Sequence, residues 1–279
     1  MRDPFAESPE FRRVLDGAEA AVDLARVGLE IARDANPGLD EASYLAKLDA
    51  LADRVRERCP ADARARQVIG QINWVLFVEE GFRGNGDDYF DPRNSYLDEV
   101  IDRRLGIPIS LSIVYAAVAG RVGLALGGVN LPLHFLLRAV DEEPGLFVDP
   151  YHEGAVLDWA GCEQLLSNLS GRPVRLGFEH STPCNPSTVV GRMLRNLKGI
   201  YLERKDFAAA LPVVRRLAAL NRHDATEQRD WGMVSLQADR PGEAVDPLRR
   251  YVEEAGEADD RDEIQALLRI ARREVASRN

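Results

Sequence analysis

Apolar residues recur at helical spacing through the first part of the chain. Between Pro9 and Ala35, Val14, Ala18, Ala21, Ala25, Leu29 and Ala32 follow one another three or four apart, which lines one face of an amphipathic helix. Asn36-Pro37-Gly38 stops it, because proline cannot continue the hydrogen-bond ladder and glycine favours a turn. A second helix follows with Leu45, Leu48, Leu51 or Ala52, and Val55 inward, and Cys59-Pro60 ends it. A third runs from about Asp62 to Glu80 over Val68, Ile69, Ile72, Val75 and Leu76.

The pattern then breaks. Residues 81–94, GFRGNGDDYFDPRN, are dense in Gly, Asp, Asn and Pro and read as an irregular loop. Asp87, Asp88 and Asp91 could form a calcium loop, but the ligand alternation and terminal Glu of an EF-hand are absent, so turn chemistry is expected. Asn94-Ser95 can cap a helix from Tyr96 to Arg104 that Gly106 terminates. A further helix begins at Pro108, since proline suits the first helical position, and its segment ISLSIVYAAVA is apolar nearly all round. Such a helix is buried in the middle of a fold. After Gly123 short apolar runs, LALGGVNL, LHFLLRAV, GLFVD, GAVLD and PVRLGF, are broken by glycine and proline and read as strands of an antiparallel sheet. A helix followed by consecutive strands makes this region α+β.

STPCNPST, residues 181–188, is the clearest linker, and everything beyond it is helical. Offset by 34 residues, the tail pairs Leu202 with Leu236, Ala210 with Ala244, Leu211 with Val245, Val214 with Leu248, and Leu217 with Tyr251. A period of 34 built of two helices is the tetratricopeptide signature. Two units, about 189–221 and 223–256, precede a closing helix from Asp262 to Ser277. The expected organisation is an N-terminal helical region over 1–90, an α+β core over 91–180 and the repeat tail over 187–279.

Composition narrows the function classes. A chain of 279 residues, 45% apolar and 29% charged, is an ordinary globular protein of two or three modules. Its net charge of -10 would repel a phosphate backbone, and no Lys/Arg-rich run offsets this, so no nucleic-acid partner is expected. The start lacks the apolar stretch of a signal peptide, and the longest apolar run, Ile107 to Ala119, is too short to span a membrane. Cys59, Cys162 and Cys184 are odd in number and outside any CxxC pattern, which argues against disulfides or a zinc site and for a reducing cytoplasm. Nothing in the pattern fixes an oligomeric state.

The run FVEEGFRGNGDDYFDPRNSYLDEVIDRRLGIPISLSIVYAAVAGRVGL, with GVNLPLHFLLRA and LFVDPYHEG, resembles the SirB-type proteins, a bacterial transglutaminase-like family with tetratricopeptide tails. That resemblance implies a papain-like core: a central helix on an antiparallel sheet, with a Cys-His-Asp triad in the active relatives. There a cysteine at the N-terminus of the helix is favoured as thiolate, a histidine takes its proton and an aspartate orients the ring. The histidine motif is matched by His134 and the aspartate motif by Asp149, while the cysteine's place falls on Pro108, which has no nucleophile. Ser110 and Ser112 lie within one turn, Ser110 nearer the helix start, and either can act as a substitute nucleophile or bond a carbonyl one turn back.

Read from spacing alone, with no family in view, His134 and Asp149 are expected to be a hydrogen-bonded core pair across neighbouring strands. They can also join His152 around zinc or iron, but the spacing is not that of a recognised metal motif, and no metal or cofactor is expected. The functional expectation is therefore a non-catalytic protein-binding or regulatory module, whose helical tail receives a protein or peptide partner. Its alternatives are a cysteine-independent hydrolase or acyltransferase using Ser110, His134 and Asp149, and a scaffold that only supports the repeats.

Overall fold

A computed structural model describes residues 5–18, 22–140, 145–177, 182–256 and 258–278. The N-terminal apolar stripes fold as α1 (Pro9–Leu15), α2 (Leu24–Ala32), α3 (Glu41–Arg58) and α4 (Ala65–Asn73), the last continuing as a π-helical turn over Trp74–Glu79. The single helix expected from Pro9 to Ala35 is thus two. Its apolar spacing runs through a turn at Asp16-Gly17, and Asp23 starts α2 afresh by accepting hydrogen bonds from the N–H groups of Ala25 and Arg26 at 2.9 and 3.3 Å. Ala21 lies outside the described residues. The buried Glu30 carboxylate of α2 receives the free N–H groups of Glu10 and Phe11 at 2.9 and 2.8 Å, which ties the start of α1 to its neighbour.

The glycine- and aspartate-rich loop is held by turn chemistry, as expected. Asn85 Oδ1 accepts the N–H of Asp88 at 3.1 Å, and Asp91 accepts the N–H of Arg93 at 3.0 Å while pairing with Arg93 and Arg103. Around this loop lie β1 (Arg83–Gly84), α5 (Leu97–Arg103) and β2 (Leu105–Gly106), with β1 and β2 paired in parallel. Two expectations fail here. The N-cap of α5 is Tyr96, because Asn94 is spent on the loop: its side chain bonds Asn85 and the carbonyl of Asp88. Arg104, not Gly106, takes the left-handed position after α5, with φ 57°. Gly106 is needed for a different reason: a Cβ there would stand 2.8 Å from Ser110 Oγ and 2.9 Å from Leu111 Cγ.

α6 (Pro108–Arg121) is the buried helix the sequence predicts, and it packs on a four-stranded antiparallel meander, β3 (Leu126–Leu131), β4 (His134–Ala139), β5 (Phe147–Asp149) and β6 (Ala155–Leu157). Side chains alternate across a strand, so Phe135, Leu137, Ala139 and Val148 join the cluster around α6. Leu136 and Phe147 turn to the opposite face, against Cys162 and Leu166 of α7 (Trp159–Ser170). His134 and Asp149 are in phase with this second set. α7 was not anticipated among the strands, although Asp158 caps it through the N–H of Gly161 at 2.8 Å and Gly171 ends it. The fifth expected strand, PVRLGF, does not form. Its N–H groups go to helix side chains instead, Val174 to Ser167 Oγ at 2.9 Å and Leu176 to Glu163 Oε1 at 3.1 Å; Phe178 lies outside the described residues.

The rest of the chain is helical: α8 (Pro186–Glu203), α9 (Phe207–Leu220), α10 (Ala225–Gln237), α11 (Pro241–Glu254) and α12 (Arg261–Arg278). The chain divides into two compact units at Met193/Leu194. Within the second unit, residues paired by the 34-residue offset do the same work: Ala210 and Ala244, Val214 and Leu248, Leu217 and Tyr251 are all buried. Ile264, Leu268 and Ala271 of α12 close the stack against Ala244, Leu248 and Tyr251, giving the last repeat the neighbour it needs. No described helix is long and apolar enough to cross a membrane.

Gly84 lies against the ring of Tyr151, and a Cβ on it would approach three ring atoms to 2.5–2.8 Å. Gly84→Ala is expected to destabilise the fold by ~1–3 kcal/mol through overpacking, measured as a lower midpoint in urea unfolding of the full chain.

Candidate functional site

The β3–β4 hairpin turns on Pro132-Leu133, with Leu131 opposite His134. Proline cannot take the positive φ of the turns that hairpins favour, so the left-handed conformation falls on the second residue, where glycine is preferred. Leu133 occupies it at φ 64°, with its side chain 64% exposed. This turn sets the first residue of β4, His134, diagonally across from the last residue of β5, Asp149.

Both side chains are nearly out of water, and His134 Nε2 lies 2.9 Å from Asp149 Oδ2. Asp149 also caps the 3-10 turn Pro150–His152, its Oδ1 accepting the N–H groups of Tyr151 and His152 at 3.1 and 3.4 Å. The turn brings His152 back, and its Nδ1 stands 2.7 Å from the same Oδ2. An ionised carboxylate only accepts, so both imidazoles donate. Burial pushes the Asp149 carboxyl up, but the hydrogen bond and charge of His134, and then those of His152, outweigh it and hold the group below its ordinary range.

Neighbouring elements brace this arrangement. Tyr151 meets His134 edge to face at 6.0 Å between ring centroids and covers Gly84 with its other side. Asn73, at the end of α4, donates to the carbonyl of Gly154 at 2.8 Å and accepts from the Tyr115 hydroxyl of α6 at 2.8 Å, fixing the turn that carries His152. At the hairpin, Arg192 of α8 donates to the carbonyl of Leu131 at 2.9 Å and to Asn130, with its guanidinium over Phe135.

The head of α6 is occupied differently. Pro108 is its buried first residue. The Ser110 hydroxyl is fully buried, donates to the carbonyl of Asn94 at 2.6 Å and accepts the N–H of Ile107 at 3.1 Å. Ser112 donates one turn back to Pro108 at 2.7 Å. Neither serine hydrogen-bonds His134. Cys162 belongs to the α7 cluster, and burial first, then the charges of Asp158 and Asp149, push its thiol up to about 12. Cys184 is half-buried, and burial raises its thiol too.

His134 and Asp149 are therefore brought together, and Ser110 is engaged elsewhere. His152 is the partner that spacing undervalued, since Asp-Pro-x-His carries its own signal: aspartate as cap, proline at the first turn position and the third residue folded back over the cap. Because the depressed carboxyl of Asp149 contributes stability above its unfolded value near ~4, that contribution is lost as pH falls from there through the folded value. The stability gap between the native protein and Asp149→Asn is expected to narrow below about pH 4, read by thermal unfolding across a pH series.

The sequence profile of the transglutaminase-like superfamily matches residues 42–195, and that of a tetratricopeptide repeat matches 197–269. The chain is 33% identical to a UPF0162 protein of Xylella fastidiosa over 233 residues, 82% of this chain and 83% of that one. It is 29% identical to a UPF0162 protein of Vibrio cholerae over 181 residues, 64% and 66% of the two chains. F-box only protein 21 of Mus musculus is 39% identical over 108 residues, which cover 36% of this chain and 17% of that protein. No solved structure matches.

Proposed function

Because the chain belongs to the transglutaminase-like superfamily and ends in tetratricopeptide repeats, we propose that it is a non-catalytic relative, a protein-binding or regulatory module. What carries this reading is the head of α6, where Pro108 offers no nucleophile and Ser110 spends its hydroxyl on backbone groups. Covalent acyl transfer needs an atom that attacks and a base within reach of its proton. His134 is held as a base would be, by a buried aspartate, but no hydroxyl or thiol among the described residues hydrogen-bonds it. Cys162, with its raised pKa, is the opposite of an activated thiol.

The binding role falls to the tail. Tetratricopeptide helices bury one face against their neighbours and leave another for a peptide or a partner protein. The cytoplasm is the setting we propose, where three free thiols stay reduced. A hydrolase built on Ser110, His134 and Asp149 draws no support from the hydrogen bonds, which give the serine a capping role.

Two measurements test this. Full-length protein given glutamine-containing peptides with an amine acceptor, or activated esters, is expected to show no turnover beyond that of His134→Ala; turnover that disappears in His134→Ala overturns the proposal. Ser110→Ala is expected to cost ~1–3 kcal/mol of stability, because the buried Asn94 carbonyl and Ile107 N–H lose their partner, and to leave any residual hydrolysis unchanged.

A further inference from the structure

We propose that His134, Asp149 and His152 form a binding site for one divalent transition-metal ion of the zinc type, taken by two imidazole nitrogens and one carboxylate oxygen. The site does not rest on the reading above, because its donor set and geometry are argued without reference to catalysis.

The donor set comes first. Two imidazoles and a carboxylate are the ligands that zinc and ferrous iron favour, whereas calcium and magnesium prefer oxygen throughout. Among the described residues this is the one group of three or more His, Cys, Asp or Glu side chains placed to hold a metal. The acidic loop at Asp87, Asp88 and Asp91 does not form another.

Distances come next. Zinc bonds of about 2.0–2.2 Å in a tetrahedral shell put neighbouring ligand atoms about 3.3–3.6 Å apart. Asp149 Oδ2 stands 2.9 Å from His134 Nε2 and 2.7 Å from His152 Nδ1, and all three donor atoms lie within 4.8 Å of one another. An ion entering between them opens the two short spans slightly. His134 and Asp149 are locked in the sheet, so the adjustment falls to His152, whose side chain is 47% exposed on a short turn.

The protons also have somewhere to go. Each ring now donates N–H to Asp149 and must present a lone pair to a metal instead. A neutral His134 does this by moving its proton from Nε2 to Nδ1, which has no hydrogen-bond partner among the described residues. His152 moves its own from Nδ1 to the far nitrogen of its half-exposed ring. Neither exchange changes the charge of a neutral imidazole.

Orientation is already provided. Asp149 Oδ1 is fixed by two backbone N–H groups, leaving Oδ2 as the ligand atom, and Asn73 anchors the turn behind His152. Such outer contacts hold metal ligands in place. Three protein ligands leave a fourth position open to water or to an anionic or neutral donor of a partner, and the exposure of His152 puts it on the solvent side.

The test uses the full chain, stripped with EDTA and desalted, then titrated with zinc chloride in a calorimeter, with cobalt(II) chloride as a spectroscopic probe. One equivalent of zinc is expected to bind, to raise Tm, and to bind on the order of tenfold or more weakly in His152→Ala; cobalt should give the visible absorption of a low-symmetry nitrogen–oxygen site. His152→Ala is the decisive variant because its half-exposed side chain can be removed without opening the core. Its metal-free Tm is expected to fall only by the loss of one hydrogen bond to Asp149, which water can replace, and a cooperative unfolding transition verifies the fold. Absence of saturable zinc binding overturns the proposal. So does zinc binding that His152→Ala leaves intact, which would put the ion on the thiols or His223, and so does magnesium chloride binding as tightly as zinc. None of these readouts depends on turnover, so the result stands apart from the question of catalysis.

Discussion

The Asp149 carboxylate is the interaction on which the first unit turns. A carboxylate removed from water is costly unless every lone pair finds a donor. Asp149 is 1% exposed and is met by two imidazoles on one oxygen and two backbone N–H groups on the other. These four bonds join the start of β4, the end of β5 and the turn into β6. They also place Tyr151 over Gly84, and so fasten the β1–β2 pair that delivers the chain into α6. Hydrophobic burial supplies most of the driving force for this unit and the alternation of apolar faces sets its register, while the carboxylate ties the strand ends together.

The same economy explains the head of α6. A helix that is apolar all round must sit in the core, where its unpaired N-terminal groups cannot turn to water. Proline at the first position removes one of those donors, and Ser110 satisfies the N–H of Ile107 while reaching across to the carbonyl of Asn94. Gly106 has no side chain because Ser110 and Leu111 fill the space beside it. In a thiol enzyme these positions would be organised around a reactive atom. Here each is accounted for by satisfied backbone and close packing.

Much of this was legible from sequence, for identifiable reasons. α6 and the tail carry strong signals: one is a long unbroken apolar run, the other a repeat whose paired residues, such as Val214 and Leu248, are buried alike. β3 and β4 follow from short apolar runs broken by glycine and proline. The misreadings came where one residue type serves two ends. Gly106 looked like a helix stop but answers a close contact, and Asn94 looked like a cap but belongs to the loop. Val174 and Leu176 are apolar at strand spacing, yet no neighbouring strand meets them and α7 side chains take their N–H groups. The break between α1 and α2 was hidden because alanines continue the apolar phase through a turn. At the site, His134 and Asp149 were found by motif, whereas His152 depended on three-dimensional closure of the turn after Asp149.

Retention of the His134–Asp149 pair does not by itself call for chemistry. Once Asp149 is buried it needs strong donors, and His134 meets that need from a neighbouring strand whether or not anything is catalysed. His152 is harder to explain in that way. With His134 and two backbone N–H groups already in place, Asp149 could be completed by any small donor or by a water molecule. A half-exposed imidazole is instead brought within 2.7 Å of a buried oxygen by a turn that Asn73 and Tyr115 hold in place. Leu133, in a conformation that leucine seldom adopts, sits immediately before His134 with its side chain in solvent. A left-handed leucine one residue from His134 and a half-exposed imidazole held on a buried carboxylate are features that structural support alone does not require.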